Sequence, residues 1–166
     1  AKLERAEAGS QVFEAERKRW EDRLERIGKM QGAENPYTLH RALSKLMVEN
    51  VSIERENSKL QATLKGIAEL KTRWENVACV DDSGWYNHPK LFINQLWNML
   101  ITAEAITVAA LERDESRGAH YKPAFPVRDD SKYMKTTMAT WTPQGVKLAY
   151  KDIDISLYKP VARKYD

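Results

Sequence analysis

The chain has 166 residues, of which 42% are hydrophobic, so it is long enough to bury a core of its own. Its 27 lysines and arginines nearly balance its 24 aspartates and glutamates, which leaves a net charge of +3. This balance produces no broad basic field, so no nucleic-acid partner is expected. The single cysteine, Cys79, excludes an internal disulfide and is typical of a reducing compartment.

The first part of the chain has the apolar spacing of amphipathic helices. Residues 2–30 carry one apolar stripe at helical spacing, formed by Phe13, Trp20, Leu24, Ile27 and Met30. Gly32 ends this first helix. Asn35 as N-cap and Pro36 in the first helical position then begin a short second helix that runs to about residue 49.

A third helix is predicted after residues 50–52, where the sequence fits either a break or a kink. Its apolar stripe consists of Ile53, Leu60, Leu64, Ile67 and Trp74. This helix is expected to end near Val77, because residues 81–84 are turn-forming. Asn87 together with Pro89 predicts the start of the next helix.

The fourth helix, predicted from about Pro89 to Glu115, differs from the others. Between Lys90 and Glu112 its only charged residue is Glu104, which is typical of a helix surrounded by other helices. Its polar residues would be costly in lipid, so direct membrane insertion is not expected. We predict a mainly α fold, an antiparallel bundle of three long helices and one short helix in the manner of a spectrin repeat.

The pattern changes after Gly118. Residues 128–130 predict a solvated charged turn, while residues 135–141 and 146–151 predict a β-hairpin with one covered face. An extended basic tail follows the hairpin. The expected organisation is a helical bundle (1–115), a crossover loop (116–134), and a hairpin with basic tail (135–166), forming one domain that is a fragment of a larger chain.

Motifs of a self-sufficient active site are missing from the sequence. No two of the seven glycines are separated by a single residue, which excludes a G-x-G-x-x-G dinucleotide loop. The single cysteine and three scattered histidines, His40, His88 and His120, lack the spacing of a metal site. We therefore predict no catalytic, cofactor-binding or metal-binding residue in this chain.

The most distinctive segment is residues 115–123, Glu-Ser-Arg-Gly-Ala-His-Tyr-Lys-Pro, which follows the fourth helix. Arg117 offers a rigid fork of donors that suits a carboxylate or backbone carbonyls. Gly118 can adopt the left-handed conformation that ends a helix, and Ser116 can cap free carbonyls. Spacing alone favours a helix terminus and crossover over a contact with substrate or cofactor.

Several segments together resemble one protein family. They are residues 35–40, 95–100, 110–113, 115–120, 128–130 and 135–137. With them the chain, from about Phe13 to Asp166, resembles the C-terminal helical domain of the flavoprotein subunit of succinate dehydrogenase and fumarate reductase. The Tyr-Lys-Pro continuation at residues 121–123 is most similar to the form found in Gram-positive bacteria.

The resemblance implies a function for the parent enzyme. In that family the flavoprotein oxidises succinate to fumarate by hydride transfer to covalently attached FAD, and electrons pass to an iron–sulfur subunit and quinone. The FAD and the catalytic groups belong to preceding domains, so this domain is expected to be structural and inactive alone. Its expected partners are the flavin-binding domain of the same chain and the iron–sulfur subunit. The complex would lie peripherally on the cytoplasmic side of the cell membrane.

The resemblance also indicates a domain junction at the loop after the fourth helix. We hypothesise that Ser116, Arg117, Gly118 and His120 contact the flavin-binding domain, with Arg163 of the basic tail as a second tether. The alternative function is a stand-alone helical module that binds a partner helix. A severed domain should expose an apolar patch around the hairpin and the loop, whereas a stand-alone module should expose only its partner groove.

Overall fold

The structure, a computed structural model, describes residues 10–158 and 160–161. Its elements in chain order are α1 (Gln11–Gly28), α2 (Pro36–Asn50), α3 (Asn57–Trp74), α4 (His88–Glu112), α5 (Asp130–Tyr133), β1 (Lys135–Thr142) and β2 (Gly145–Asp152). The predicted mainly α fold with a C-terminal hairpin is confirmed. The part of the predicted first helix at residues 2–9 lies outside the described residues.

Two helices begin at the predicted caps. The Asn35 side chain accepts a hydrogen bond from the Tyr37 N–H at 2.9 Å, and Pro36 is the first residue of α2. The Asn87 side chain accepts from the Lys90 N–H at 2.8 Å at the start of α4. These bonds satisfy donors that the first turn of a helix leaves free, so the sequence signal has a direct physical cause.

Helix α3 begins later than predicted, at Asn57. Ile53 was assigned to its apolar stripe, but this residue lies in the preceding loop and is 62% exposed. The backbone of this loop before α3 forms hydrogen bonds with Tyr121. Tyr121 donates its N–H to the Ile53 carbonyl at 3.1 Å, and Arg55 donates its N–H to the Tyr121 carbonyl at 2.8 Å.

Helices α1 and α3 also end earlier than predicted, at Gly28 and Trp74. The residues beyond them form a loop pair, residues 30–34 and 76–79, joined by backbone hydrogen bonds. The Cys79 N–H donates to the Met30 carbonyl at 2.8 Å, and the Glu34 N–H donates to the Asn76 carbonyl at 2.9 Å. The N–H and C=O groups used in this pairing are unavailable to either helix.

The chain divides into two compact units, and the first comprises Ala1–Ser44 and Ala68–Leu100. Its buried apolar residues are Ile27, Leu39, Leu43, Leu70, Trp74, Val77, Ile93, Leu96 and Leu100. The Trp74 indole donates to the Ile93 carbonyl at 2.9 Å, and its ring centroid lies 4.8 Å from that of Trp97. The bond to the Ile93 carbonyl offsets the desolvation of the indole N–H, so this large ring can lie in the core.

Much of α1 is not part of that core. Phe13 is 50% exposed and Trp20 is 39% exposed, although both belong to the predicted apolar stripe. Of the stripe, only Ile27 is fully buried. The predicted stripe is therefore covered only toward the C-terminal end of α1, fully at Ile27 and partly at Leu24.

The second unit comprises Lys45–Ile67 and Ile101–Asp166. Val51, Leu60 and Ala110 form a buried cluster, against which Met47 and Leu111 pack. This unit contains the hairpin and the whole of the distinctive loop that follows α4. It therefore holds every described residue of the predicted junction.

Helix α4 is buried along one stripe and not around its whole circumference, which corrects the prediction. Its buried residues recur every three or four positions, at Ile93, Leu96, Leu100, Ala103, Thr107 and Ala110. Leu91, Met99 and Ile106 on the same helix are 53%, 37% and 45% exposed. Among the described residues, no helix has the combination of length and apolarity that spanning a membrane requires.

The hairpin pairs β1 and β2 antiparallel, with Trp141 opposite Val146 and Thr137 opposite Tyr150. Cross-strand partners share a face, so Trp141, Val146, Leu148 and Tyr150 lie on one side. This face was expected to be covered. Trp141 is nevertheless 39% exposed and Tyr150 41% exposed, so the described residues cover it only in part.

Candidate functional site at the end of helix α4

A buried carboxylate organises the segment that follows α4. Glu115 is fully buried, and its oxygens accept from Arg113 Nη1 at 2.5 Å and from Arg117 Nε and Nη2 at 2.9 and 3.0 Å. The backbone N–H of Asp129 donates to the same carboxylate at 2.9 Å. Two guanidinium groups and an amide therefore compensate the desolvation of this charge.

The environment keeps the Glu115 carboxylate charged. Burial acts to raise its pKa, but the hydrogen bonds from Arg117, the Asp129 amide and Arg113 outweigh burial and leave the pKa below its ordinary value. Glu115 is consequently an anion at neutral pH and holds the two arginines in place.

The network extends through Arg117 to the start of α5. Asp130 accepts from Arg117 Nη2 at 2.7 Å and from Arg128 Nη2 at 2.6 Å. The Asp129 side chain accepts from the Lys132 N–H at 3.0 Å and so caps the short helix α5. Residues 128–130 were predicted to be a solvated charged turn, and this was wrong. They are half-buried because their charges and caps find partners within the loop.

Arg113 and Tyr133 join the start of the hairpin to the end of α4. Arg113 donates to the carbonyls of Tyr133 at 3.0 Å and Lys135 at 2.8 Å. The Tyr133 hydroxyl donates to the Glu112 carbonyl at 3.0 Å and accepts from the Asp114 N–H at 3.1 Å. We call the set Arg113, Glu115, Arg117, Arg128, Asp130 and Tyr133 the Glu115 network.

A buried lysine binds the C-terminal end of α4. Lys122 is 1% exposed, and its ammonium donates to the Leu111 carbonyl at 3.0 Å and to Asp114 Oδ1 at 2.9 Å. A cation is favourable here because the last carbonyls of a helix are unpaired and carry partial negative charge. Sequence reasoning used Lys122 only as a family marker and missed this role.

The tip of the loop is a tight turn between Arg117 and His120. The Arg117 N–H donates to the His120 carbonyl at 2.7 Å, and the His120 N–H donates to the Arg117 carbonyl at 3.0 Å. Gly118 has φ of 57°, the left-handed conformation predicted for it, but it lies in this turn and does not end α4, whose last residue is Glu112. Gly118 and Ala119 are exposed, so the turn presents backbone to the surface.

The predicted junction residues are brought together in this loop. The Ser116 hydroxyl donates to the Phe125 carbonyl at 2.8 Å, and the His120 ring contacts the Arg113 carbonyl at 2.8 Å. Arg117 and His120 therefore form hydrogen bonds with groups of their own chain. Arg163, the predicted second tether, lies outside the described residues.

The sequence of this chain, including the loop after α4, is similar to that of known proteins. Residues 40–165 match the family described as fumarate reductase flavoprotein C-term. The succinate dehydrogenase flavoprotein subunit of Bacillus subtilis strain 168 is 40% identical over 158 residues, which cover 94% of this chain. A fumarate reductase flavoprotein subunit from a Serratia species is 32% identical over 166 residues and covers 98% of the chain.

The solved structures agree with the sequence relatives. A chain of a mutant E. coli quinol fumarate reductase superposes with a TM-score of 0.87 at 29% identity, over 95% of this chain. The chain spans 27% of that solved chain, and 27% and 28% of the two sequence relatives. It therefore belongs to the fumarate reductase flavoprotein C-terminal family, the C-terminal domain of succinate dehydrogenase and fumarate reductase flavoprotein subunits.

Proposed function

We propose that this chain is the structural C-terminal domain of an enzyme that oxidises succinate to fumarate by hydride transfer to FAD. The electrons pass to an iron–sulfur subunit and then to quinone, on the cytoplasmic side of the membrane. FAD and the catalytic groups belong to the other domains of the flavoprotein, and this domain is inactive alone. The observation that carries the proposal is the 40% identity to a succinate dehydrogenase flavoprotein subunit over 94% of this chain.

The domain docks on the flavin-binding domain through what we call the hairpin surface. Its apolar members in the second unit are Val127, Trp141, Tyr150, Leu157 and Tyr158, which are between 39% and 87% exposed. Exposed apolar area costs roughly 25 cal/mol per Å² in water, so such surfaces mark interaction sites. The exposure favours a severed interdomain contact over the alternative of a stand-alone module that binds a helix.

The loop of Ser116, Arg117, Gly118 and His120 forms the second part of this junction. Arg117 shapes the loop by holding Glu115 and Asp130, and the exposed turn at Gly118 offers backbone groups to the flavin-binding domain. Loops held rigidly by their scaffold are well suited to such contacts. The segment after the hairpin stays close to this network, since Arg128 donates to the Val161 carbonyl at 3.3 Å.

A chimera tests this junction. This chain replaces the matching region of the B. subtilis flavoprotein, and the flavin-to-protein ratio of the purified chimera is measured. Trp141→Lys places a charge on the hairpin surface, and Arg117→Ala releases the loop, so each is expected to lower the ratio. Val48→Lys and Arg41→Ala alter exposed residues of α2 that belong to neither feature and serve as matched controls.

Unchanged flavin content in Trp141→Lys and Arg117→Ala would contradict docking through these residues. Loss of flavin in the two control variants as well would show that the assay reports general instability. Circular dichroism of each isolated variant chain separates loss of docking from loss of fold.

A further inference from the structure

His120 lies between two segments of the second unit. Its Nε2 is 2.8 Å from the Arg113 carbonyl oxygen, and its Nδ1 is 2.6 Å from Arg55 Nη1. A carbonyl only accepts hydrogen bonds, so Nε2 must carry a hydrogen. A guanidinium only donates, so Nδ1 must be without one. The neutral ring with its proton on Nε2 is the single protonation state that satisfies both neighbours.

Arg55 is fixed in the position that faces the ring. Its Nε donates to the carbonyls of Val51 at 3.1 Å and Ser52 at 2.8 Å. Its backbone N–H donates to the Tyr121 carbonyl at 2.8 Å, next to His120 in sequence. The side-chain contact and the backbone pairing therefore join the same two segments, residues 51–56 and 117–122.

We propose that His120 is a pH-operated latch, in which the neutral ring holds residues 51–56 against residues 117–122 and protonation releases them. A proton on Nδ1 would point an N–H at the donors of Arg55, with two positive charges in contact. The hydrogen bond would then be replaced by repulsion, and the Tyr121 backbone pairing would lose its support.

Among the described residues, the charged groups that shift the pKa of the ring most are cations. They are Arg55 from the segment before α3, and Lys122 and Arg113 from the segment that contains His120. The nearby carboxylates have other partners, because Asp114 accepts from Lys122 and Asn57, and Glu115 accepts from the two arginines of the network. Burial of the ring, with the charges of Arg55, Lys122 and Arg113, lowers the pKa of His120 below its ordinary value of 6.5, against the bond to the Arg113 carbonyl.

The sign of the pH dependence follows from this lowered pKa. Above pH 6.5 the ring is neutral whether the latch is open or closed, and the contact contributes its full stability. As the pH falls below that value, the open form binds the proton more readily, so acid opens the latch. The latch itself does not depend on the proposed function. Only an effect of its opening on how the domain docks on the flavin-binding domain would rest on that proposal.

Solution NMR of the 166-residue chain tests the latch. We expect the imidazole nitrogen shifts to show the Nε2–H tautomer and the His120 titration midpoint to lie below the ordinary value of 6.5. Amide exchange of Arg55 and Tyr121, corrected for intrinsic rates, should accelerate on acidification. The expected gain is at most about tenfold for each pH unit between 6.5 and the lowered His120 midpoint, and it levels off below that midpoint.

Three variants complete the test. His120→Asn keeps an acceptor near the Nδ1 position without titrating, so its corrected exchange should not change with pH. His88→Asn, the matched control, should behave like the unmodified chain. Arg55→Gln removes one cation, so the His120 midpoint should rise toward 6.5, and this readout remains decisive if His120→Asn does not fold.

A proton on Nδ1 in the neutral ring, or a His120 midpoint at or above 6.5, would overturn the proposal. Exchange that is independent of pH in the unmodified chain, or a midpoint that Arg55→Gln leaves in place, would overturn it equally. These outcomes leave the proposed function untouched, because none of the measurements involves flavin or succinate.

Discussion

Glu115→Ala is expected to lower the free energy of unfolding by about 3 kcal/mol, because it strips a buried charge network of its centre. Removal of the carboxylate leaves Arg113 and Arg117 without their shared anion in a half-buried setting. The loss stays at the lower end of the range for a broken buried pair, since Arg117 keeps Asp130 and Arg113 keeps two carbonyls. Urea unfolding followed by circular dichroism at neutral pH measures it.

The control is Glu25→Ala, which removes an exposed ion pair with Lys29 and should change stability little. Glu115 also predicts an acid dependence, because hydrogen bonds hold its pKa below the ordinary 4.5. Its contribution is complete above that value and is lost as the pH falls through the lowered pKa. The variant should therefore lose less stability than the unmodified chain on acidification. A destabilisation below about 1 kcal/mol at neutral pH would contradict the central role of this carboxylate.

Gly32→Ala is expected to destabilise the first unit by about 3 kcal/mol, because no space exists for a methyl group. A Cβ at this position would lie 1.9 Å from the Asn76 carbonyl oxygen and 2.2 Å from its carbon. These are backbone atoms of the loop pair, so relief requires breaking the bonds from Gly32 N–H to Val77 and from Glu34 N–H to Asn76. Amide exchange at Ala78 and Cys79 should accelerate together with the loss of global stability.

Gly84→Ala is the matched control for this substitution. A Cβ at Gly84 meets no atom within 4 Å, so the change is expected to be neutral or slightly stabilising through the unfolded state. Equal stability of the two variants would show that the loop pair accommodates the methyl group without loss of folding free energy, which would contradict the distances at Gly32.

The elements that local rules govern were predictable from the sequence. The N-cap residues Asn35 and Asn87 placed the starts of α2 and α4, and the alternation on either side of Pro143 placed the hairpin. Gly118 was expected in the left-handed region and has φ of 57°. In each case the residues that determine the structure lie within a few positions of one another, so their spacing in the sequence is enough to predict it.

The Glu115 network could not be predicted because its contacts follow no period. Arg113 and Tyr133 are 20 residues apart, and Arg117 and Asp130 are 13 residues apart. Lysine is almost never fully buried, so composition gave no sign that Lys122 would be. The sequence singled out the Ser116 to His120 loop through its family resemblance, while its physical task of ordering the end of α4 emerged only from the geometry.

The most direct test of the central claim is succinate oxidation by the chimera in which this chain replaces the matching region of the B. subtilis flavoprotein. We predict that the chimera retains flavin and oxidises succinate within about tenfold of the parent, a difference below about 1.4 kcal/mol in activation free energy. The isolated chain should show neither flavin absorbance nor activity. A chimera that folds but lacks flavin and activity, or an isolated chain that binds flavin, would contradict the account.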